Sequence, residues 1–124
     1  MINADELLKL RNWVVVGASE NKEKYGYKIF RRLKDLGYNV IPVNPNYETI
    51  LGEKCYPNLM SLTQKPDVIN LVVSPKHGMK TIQEASDLGI KYIWLQPGTF
   101  NDELLEFARE KGIETLQACV LIET

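Results

Sequence analysis

The chain's 124 residues supply one domain's worth of core, and a formal charge of −1 sets up no global field toward nucleic acid or an anionic membrane. Hydrophobic residues make up 44% and charged ones 25%, with no low-complexity stretch, which is the profile of a soluble globule. Residues 1–11 are too polar for a signal peptide, and no apolar run approaches the ~20 residues of a membrane span. Two cysteines, Cys55 and Cys119, form no Cys-x-x-Cys pair and predict free thiols in a reducing cytoplasm. With a single histidine, His77, no histidine-based metal site is expected.

In chain order, Asn3 and Glu6 stand at capping-box spacing and predict a short helix over residues 4–10. Residues 13–16 are a continuous apolar run and read as the first strand. After a loop over 17–26, Ile29, Phe30, Leu33 and Leu36 fall on one helical face, Gly37 ends that helix, and residues 40–43 form a second strand. Residues 68–73 read as a third strand. The next helix carries Met79, Ile82 and Ala85 on one face, stops at Gly89, and leads into a strand over 92–95. Asn101 is placed to cap the last helix, with Asp102 and Glu103 in its first turn and Leu104, Leu105 and Ala108 on its inner face. Gly112 ends it, and a weaker strand follows over 114–116. Trp13 and Trp94 fall in strands and are expected in the core.

The unit helix–glycine–strand thus occurs at Gly37, Gly89 and Gly112. Strands that are apolar throughout, rather than alternating, are buried on both faces, as in a parallel sheet between helical layers. The expected fold is an α/β, Rossmann-like, doubly wound parallel sheet of five strands in the order 3-2-1-4-5, with helices on both faces. No linker or domain boundary interrupts residues 1–124, so one domain is expected.

Such sheets bind ligands beyond the carboxyl ends of their strands, beside the first strand. The loops expected there run over 17–26, 44–47, 74–78 and 96–99. Gly17 lets the chain turn off its strand, and Ala18 and Ser19 are small enough for a phosphate to approach the backbone. The helix start at Tyr25 and Gly26 offers amides and a dipole to an anion, Ser19 a hydroxyl, and Lys22 or Lys24 a charge. A tight turn without a ligand would use the same small residues. Ser74-Pro75 and Gln96-Pro97-Gly98 are either ordinary turns or rigid walls for a flat adenine, and Lys76 is either a phosphate contact or a solvated lysine. A dinucleotide fingerprint would need glycine at 19 and 22, where Ser19 and Lys22 stand. The second strand ends in Asn44-Pro45, with no carboxylate for ribose hydroxyls before Glu48, so NAD(P) is disfavoured.

Three functions are compatible with these residues. The first is non-catalytic binding of a phosphorylated nucleotide cofactor, since no acid–base pair is visible. The second is an enzyme, for which Cys119 is the one sulfur nucleophile near a strand end; it is otherwise an inert thiol or a partner for a ligand thiol. The third is a regulatory module that docks through Tyr47, Tyr56 and Phe100. His77 is read as a turn residue or helix-start contact.

The segments Val15-Val16-Gly17-Ala18-Ser19, then Gly37-Tyr38-Asn39-Val40-Ile41-Pro42-Val43-Asn44-Pro45, then Trp94-Leu95-Gln96-Pro97-Gly98 resemble the small stand-alone CoA-binding proteins. These are similar to the CoA-binding domain of the succinyl-CoA synthetase α subunit. The resemblance runs from Arg11 to the C-terminus and includes Gly52, Tyr56 and Cys119. It implies a Rossmann-like fold and coenzyme A or an acyl-CoA as the cofactor. By motif position it gives the phosphate-loop role to Ser19, Asn21 and Lys22 with Tyr25 and Gly26. It gives the nucleotide wall to Asn44, Pro45, Ser74 and Pro75, and contact with the body of CoA to Leu95, Gln96 and Pro97. The synthetase has a lysine just past the second strand for a CoA phosphate, whereas Asn46 and Tyr47 stand here. The 3′-phosphate would then fall to Lys22, Lys24 or Lys76. The resemblance does not extend to the synthetase's phosphohistidine domain, and His77 is not read as a substitute.

Overall fold

A computed structural model describes residues 2–124. Helix α1 (Ala4–Leu8) is capped by Asn3, whose side chain accepts from the Glu6 amide at 2.9 Å. It leads into strand β1 (Asn12–Val16), helix α2 (Tyr25–Asp35) and strand β2 (Asn39–Val43). A small antiparallel hairpin follows, β3 (Thr49–Ile50) with β4 (Glu53–Lys54), and then a 3-10 turn over Leu59–Ser61. The remainder is strand β5 (Val68–Leu71), helix α3 (Pro75–Leu88), strand β6 (Tyr92–Leu95), helix α4 (Asp102–Glu110), strand β7 (Glu114–Gln117) and the one-turn helix α5 (Val120–Glu123).

The sheet has five parallel strands in the order β2-β1-β5-β6-β7. On the outer edge of β2, Tyr56 adds a parallel bridge to Val43. Counting that bridge as a rudimentary strand, the sheet runs in the expected 3-2-1-4-5 pattern, with β7 as one further strand. The outer place is filled by Tyr56, however, and not by residues 68–73. Val68–Leu71 lies in the middle of the sheet, between β1 and β6. The burial of all its residues explains that place: a strand without a polar side chain toward solvent is covered best away from the edge.

Side-chain alternation along the strands divides the core in two. Val14, Ile69, Leu71, Ile93 and Leu95 pack against Ile82 and Ala85 of α3 and Leu104 and Ala108 of α4. On the other face, Trp13, Val15, Val68 and Trp94 pack against Leu7, Ile29, Phe30, Leu33 and Val120, from α1, α2 and α5. Both tryptophans are fully buried, and each spends its ring N–H on a backbone carbonyl: Trp13 on Leu10 at 2.7 Å and Trp94 on Ala118 at 2.8 Å. Gly37, Gly89 and Gly112 end their helices at φ +87°, +74° and +73°, where a Cβ would be strained. Leu36, expected on the inner face of α2, is 46% exposed, because it is the C-cap, past the last residue of the helix, whose end is closed by the bond from the Tyr38 amide to the Leu33 carbonyl. Asn70 is fully buried between Val15 and Trp94 without a protein partner for its amide, a local cost of roughly 1–3 kcal/mol. Among the described residues, no helix is long and apolar enough to cross a membrane.

Candidate functional site

The end of β1 is flanked by the ends of β2 and β5, with Val16 in register with both Val43 and Leu71. Gly17 leaves the strand at φ +100°, and a Cβ there would lie 2.9 Å from both the Val72 carbonyl oxygen and the Val73 side chain. Gly26 is tighter still. A Cβ on it would stand 2.1 Å from the Gly17 carbonyl oxygen, so only glycine lets α2 start directly against the strand end.

The loop between these glycines is braced rather than floppy. Ser19 accepts from the Asn21 amide at 3.0 Å and shares a hydrogen bond with the Tyr47 hydroxyl at 3.2 Å. The Asn21 side chain accepts from the Glu23 amide at 3.0 Å, and its carbonyl takes the Lys24 amide. Asn44 donates from Nδ2 to the Ala18 carbonyl at 2.8 Å and accepts the Asn46 amide on Oδ1 at 2.9 Å. Glu20 accepts from the Leu51 amide. These bonds commit the side chains of Asn21 and Asn44 to shaping the loop. Gly17's own amide is likewise taken, by the Val43 carbonyl at 2.9 Å.

What stays free is the start of α2. Lys24 occupies its N-cap without a side-chain cap, and no acidic residue lies in the first turn. Among the described residues, no acceptor engages the amides of Ser19, Tyr25 or Gly26. Helix α4, which leaves the same side of the sheet, is built the other way. Asn101 caps it through a 2.8 Å bond from the Leu104 amide, and Asp102 and Glu103 fill its first turn.

A cleft of about 790 Å³ opens over this helix start, within the range of small-molecule sites. Of the residues expected to bind, Gly17, Ser19, Lys24, Tyr25, Gly26, Asn44, Ser74, Gln96, Pro97 and Gly98 line it. Pro45 lies instead on a second cleft of about 310 Å³, which shares Gly17, Asn44, Asn46 and Val73 with the first. Ala18, Asn21, Lys22, Pro75 and Leu95 border neither. Ala18 and Leu95 are fully buried in the two halves of the core, while Asn21 and Lys22 are exposed on the outside of the loop.

Gln96 is 3% exposed, and its Oε1 accepts from the Val120 amide at 2.9 Å. That bond and the one from Trp94 to Ala118 hold the start of α5, which brings half-buried Cys119 and the 80% exposed Ile122 to the first cleft. Cys55 is a different thiol. It is buried behind Asn44, donates to the Asn44 carbonyl at 3.4 Å, and has its pKa raised by burial, against that hydrogen bond. Tyr47, Tyr56 and Phe100 are half-buried against the core rather than grouped in an exposed patch.

The sequence reading missed Glu23, Val72, Val73, Thr99 and Ile122 on the first cleft, and Pro57, Asn58, Lys80, Thr81 and Glu84 on the second. Val72 and Val73 had a signal, as the last residues of an apolar run. Ile122 and Lys80 had none, because they reach the clefts through tertiary packing.

Residues 11–124 match the family described as CoA binding domain. A conserved hypothetical protein from Pyrococcus furiosus has a structure similar to this one, with a TM-score of 0.88 and 42% identity over 92% of this chain and 99% of that one. The alpha subunit of acetate–CoA ligase (ADP-forming) II from Pyrococcus furiosus is 28% identical over 90% of this chain. The dinucleotide-forming acetyl-coenzyme A synthetase 1 of Ca. Korarchaeum cryptofilum, in complex with phosphate and ADP, superposes with a TM-score of 0.79 and 29% identity over 93% of this chain. The chain spans only 27% of the length of either of those two larger proteins. The match over nearly its whole length, on a strand-end site of this shape, makes the chain a member of the CoA-binding domain family.

Proposed function

We propose that this protein binds coenzyme A or an acyl-CoA without transforming it, with the pyrophosphate at the start of α2. One observation carries the reading: the α2 N-terminus opens uncapped on a large cleft, with Gly26 packed against Gly17 so that an anion can reach the backbone. An anion in that place gains typically about 0.3–1 kcal/mol from the helix dipole, and up to ~2 when partly buried. Direct hydrogen bonds from the Ser19, Tyr25 and Gly26 amides add to that gain.

In this arrangement Gly17, Ser19, Lys24, Tyr25 and Gly26 form the phosphate cradle. Asn44 and Pro45 form one wall and Ser74 another, while Gln96, Pro97 and Gly98 border the path of the pantetheine arm. Ala18, Asn21, Lys22, Pro75 and Leu95 act behind this surface, by holding the loop and strand ends in place. Two free thiols fit a reducing cytoplasmic setting. Isothermal titration against coenzyme A, acetyl-CoA and NAD tests the reading. Binding of both thioester and thiol forms, unaltered after incubation, with none of NAD, is the expected result. An absence of heat with coenzyme A at millimolar concentration contradicts it.

A further inference from the structure

Coenzyme A is chemically lopsided about its pyrophosphate. One side carries adenosine with a 3′-phosphomonoester, close to a dianion at neutral pH. The other side carries the long, uncharged pantetheine arm. The two clefts are lopsided in the same sense, and they meet where the pyrophosphate is placed, at Gly17, Asn44, Asn46 and Val73.

The larger cleft has its acidic and basic residues, Glu23 and Lys24, at the start of α2, and beyond that it runs past Gln96, Pro97, Gly98 and Thr99 to Cys119 and Ile122, with no further Asp, Glu, Lys, Arg or His. The smaller one runs between the segment at Pro57 and Asn58 and the first turns of α3, where His77 and Lys80 line it. Ser74 and His77 Nδ1 are hydrogen-bonded at 3.0 Å, which leaves Nε2 as the ring atom available to a ligand. Of Lys22, Lys24 and Lys76, the lysines first considered for the 3′-phosphate, only Lys24 borders a cleft, and it stands at the pyrophosphate end of α2. Glu84 also lines the smaller cleft, one helical turn past Lys80. Burial raises its carboxyl pKa, while Lys80 works in the opposite direction, and among the described residues Lys80 is not held by it in an ion pair within 4 Å.

Building on the coenzyme A reading, we infer that the smaller cleft takes the adenosine 3′-phosphate half of the ligand, with Lys80 and His77 recognising the 3′-phosphate. This places the ligand's thiol end in the larger cleft, on the side of Cys119. It also gives the lysine that is missing after β2 a functional replacement on α3.

Titration calorimetry with coenzyme A and dephospho-CoA, on the natural protein and on Lys80→Ala and His77→Gln, tests the inference. The natural protein is expected to prefer coenzyme A by about tenfold or more, the usual weight of a charge-assisted contact to phosphate. Lys80→Ala should lose most of that preference through weaker binding of coenzyme A, with dephospho-CoA unaffected; His77→Gln should lose a smaller part. Lys80 is exposed, so the substitution leaves the core intact. Equal affinity of the natural protein for both ligands, or an equal loss for both in Lys80→Ala, overturns this inference while leaving the coenzyme A reading standing. Binding of neither ligand to the natural protein overturns both.

Discussion

Helices α2 and α4 both begin at the carboxyl edge of the sheet, yet their first turns are chemical opposites. Helix α4 is self-sufficient: Asn101 satisfies the Leu104 amide, and Asp102 and Glu103 compensate the dipole. Helix α2 has a lysine at its N-cap, no acid in its first turn, and glycine where its backbone touches the strand end. Every helix leaves several N–H groups without intrahelical partners. A helix whose sequence supplies those partners is finished, whereas one that withholds them beside a cleft leaves its first amides open. Both strand–helix junctions line the large cleft, through Gly17 to Gly26 and through Gln96 to Thr99, but only α2 brings an uncapped start to it.

The comparison breaks most completely at Gly26. Gly26→Ala should destabilise the fold by roughly 1–3 kcal/mol, the usual range for overpacking, because its Cβ meets a backbone carbonyl that cannot swing aside. It should also abolish measurable coenzyme A binding, as followed by thermal melting and calorimetry. Gly78→Ala is the matched control. Its Cβ meets the side-chain ends of Leu104 and Leu71, which can yield, so its effect should be smaller and should leave ligand affinity near that of the natural protein.

Lys24→Asp makes the start of α2 resemble that of α4. An aspartate at the N-cap supplies the missing cap and opposes a second anion, so the helix should gain up to about 1 kcal/mol while coenzyme A affinity falls about tenfold. Opposite movements of urea midpoint and affinity in one variant would be hard to obtain if the uncapped start were incidental. The reciprocal change, Asn101→Ala, removes the α4 cap and should cost about 1 kcal/mol in urea unfolding with no change in affinity.

The smallest expected effect concerns pH. The Glu84 carboxyl is raised above its ordinary 4.5, chiefly by burial. Its contribution to stability is therefore full below that ordinary value and is lost as pH rises through the folded-state value. Glu84→Gln should gain stability relative to the natural protein as pH rises from about 4.5 through the folded-state value, by a modest amount because the group is partly solvated. A constant difference across that range in denaturant midpoints would contradict the assignment.

Much of the architecture was legible because it is written locally. Gly37, Gly89 and Gly112 mark helix ends whatever the rest of the chain does, and the apolar runs at 13–16, 40–43, 68–71 and 92–95 are strands wherever they pair. Which strand neighbours which is a tertiary matter, and so residues 68–71 were expected at an edge and lie at the centre. The α3–β6 and α4–β7 units were read correctly, whereas the hairpin β3–β4 and helix α5 went unseen. Helix α5 has too few residues to show periodicity, and its start is fixed by Gln96, a partner 24 positions away.

The loop proposed to hold phosphate was legible in part for the same reason. Gly17, Ser19 and Gly26 reveal themselves by being small at a strand–helix junction. The roles of Asn21 and Asn44 did not, because a side chain that braces a loop and one that contacts a ligand are the same residue type in a sequence. The smaller cleft was invisible, since it exists only where the segment at 57–59 packs beside α3.

The most direct test of an anion at the α2 start is a nitrogen–proton correlation spectrum recorded as coenzyme A is added to the assigned protein. The amides of Ser19, Tyr25 and Gly26 should move together and saturate with the calorimetric affinity, while those of Glu103 and Leu104 at the capped α4 start stay in place. Saturable binding that leaves Tyr25 and Gly26 unmoved would contradict the account.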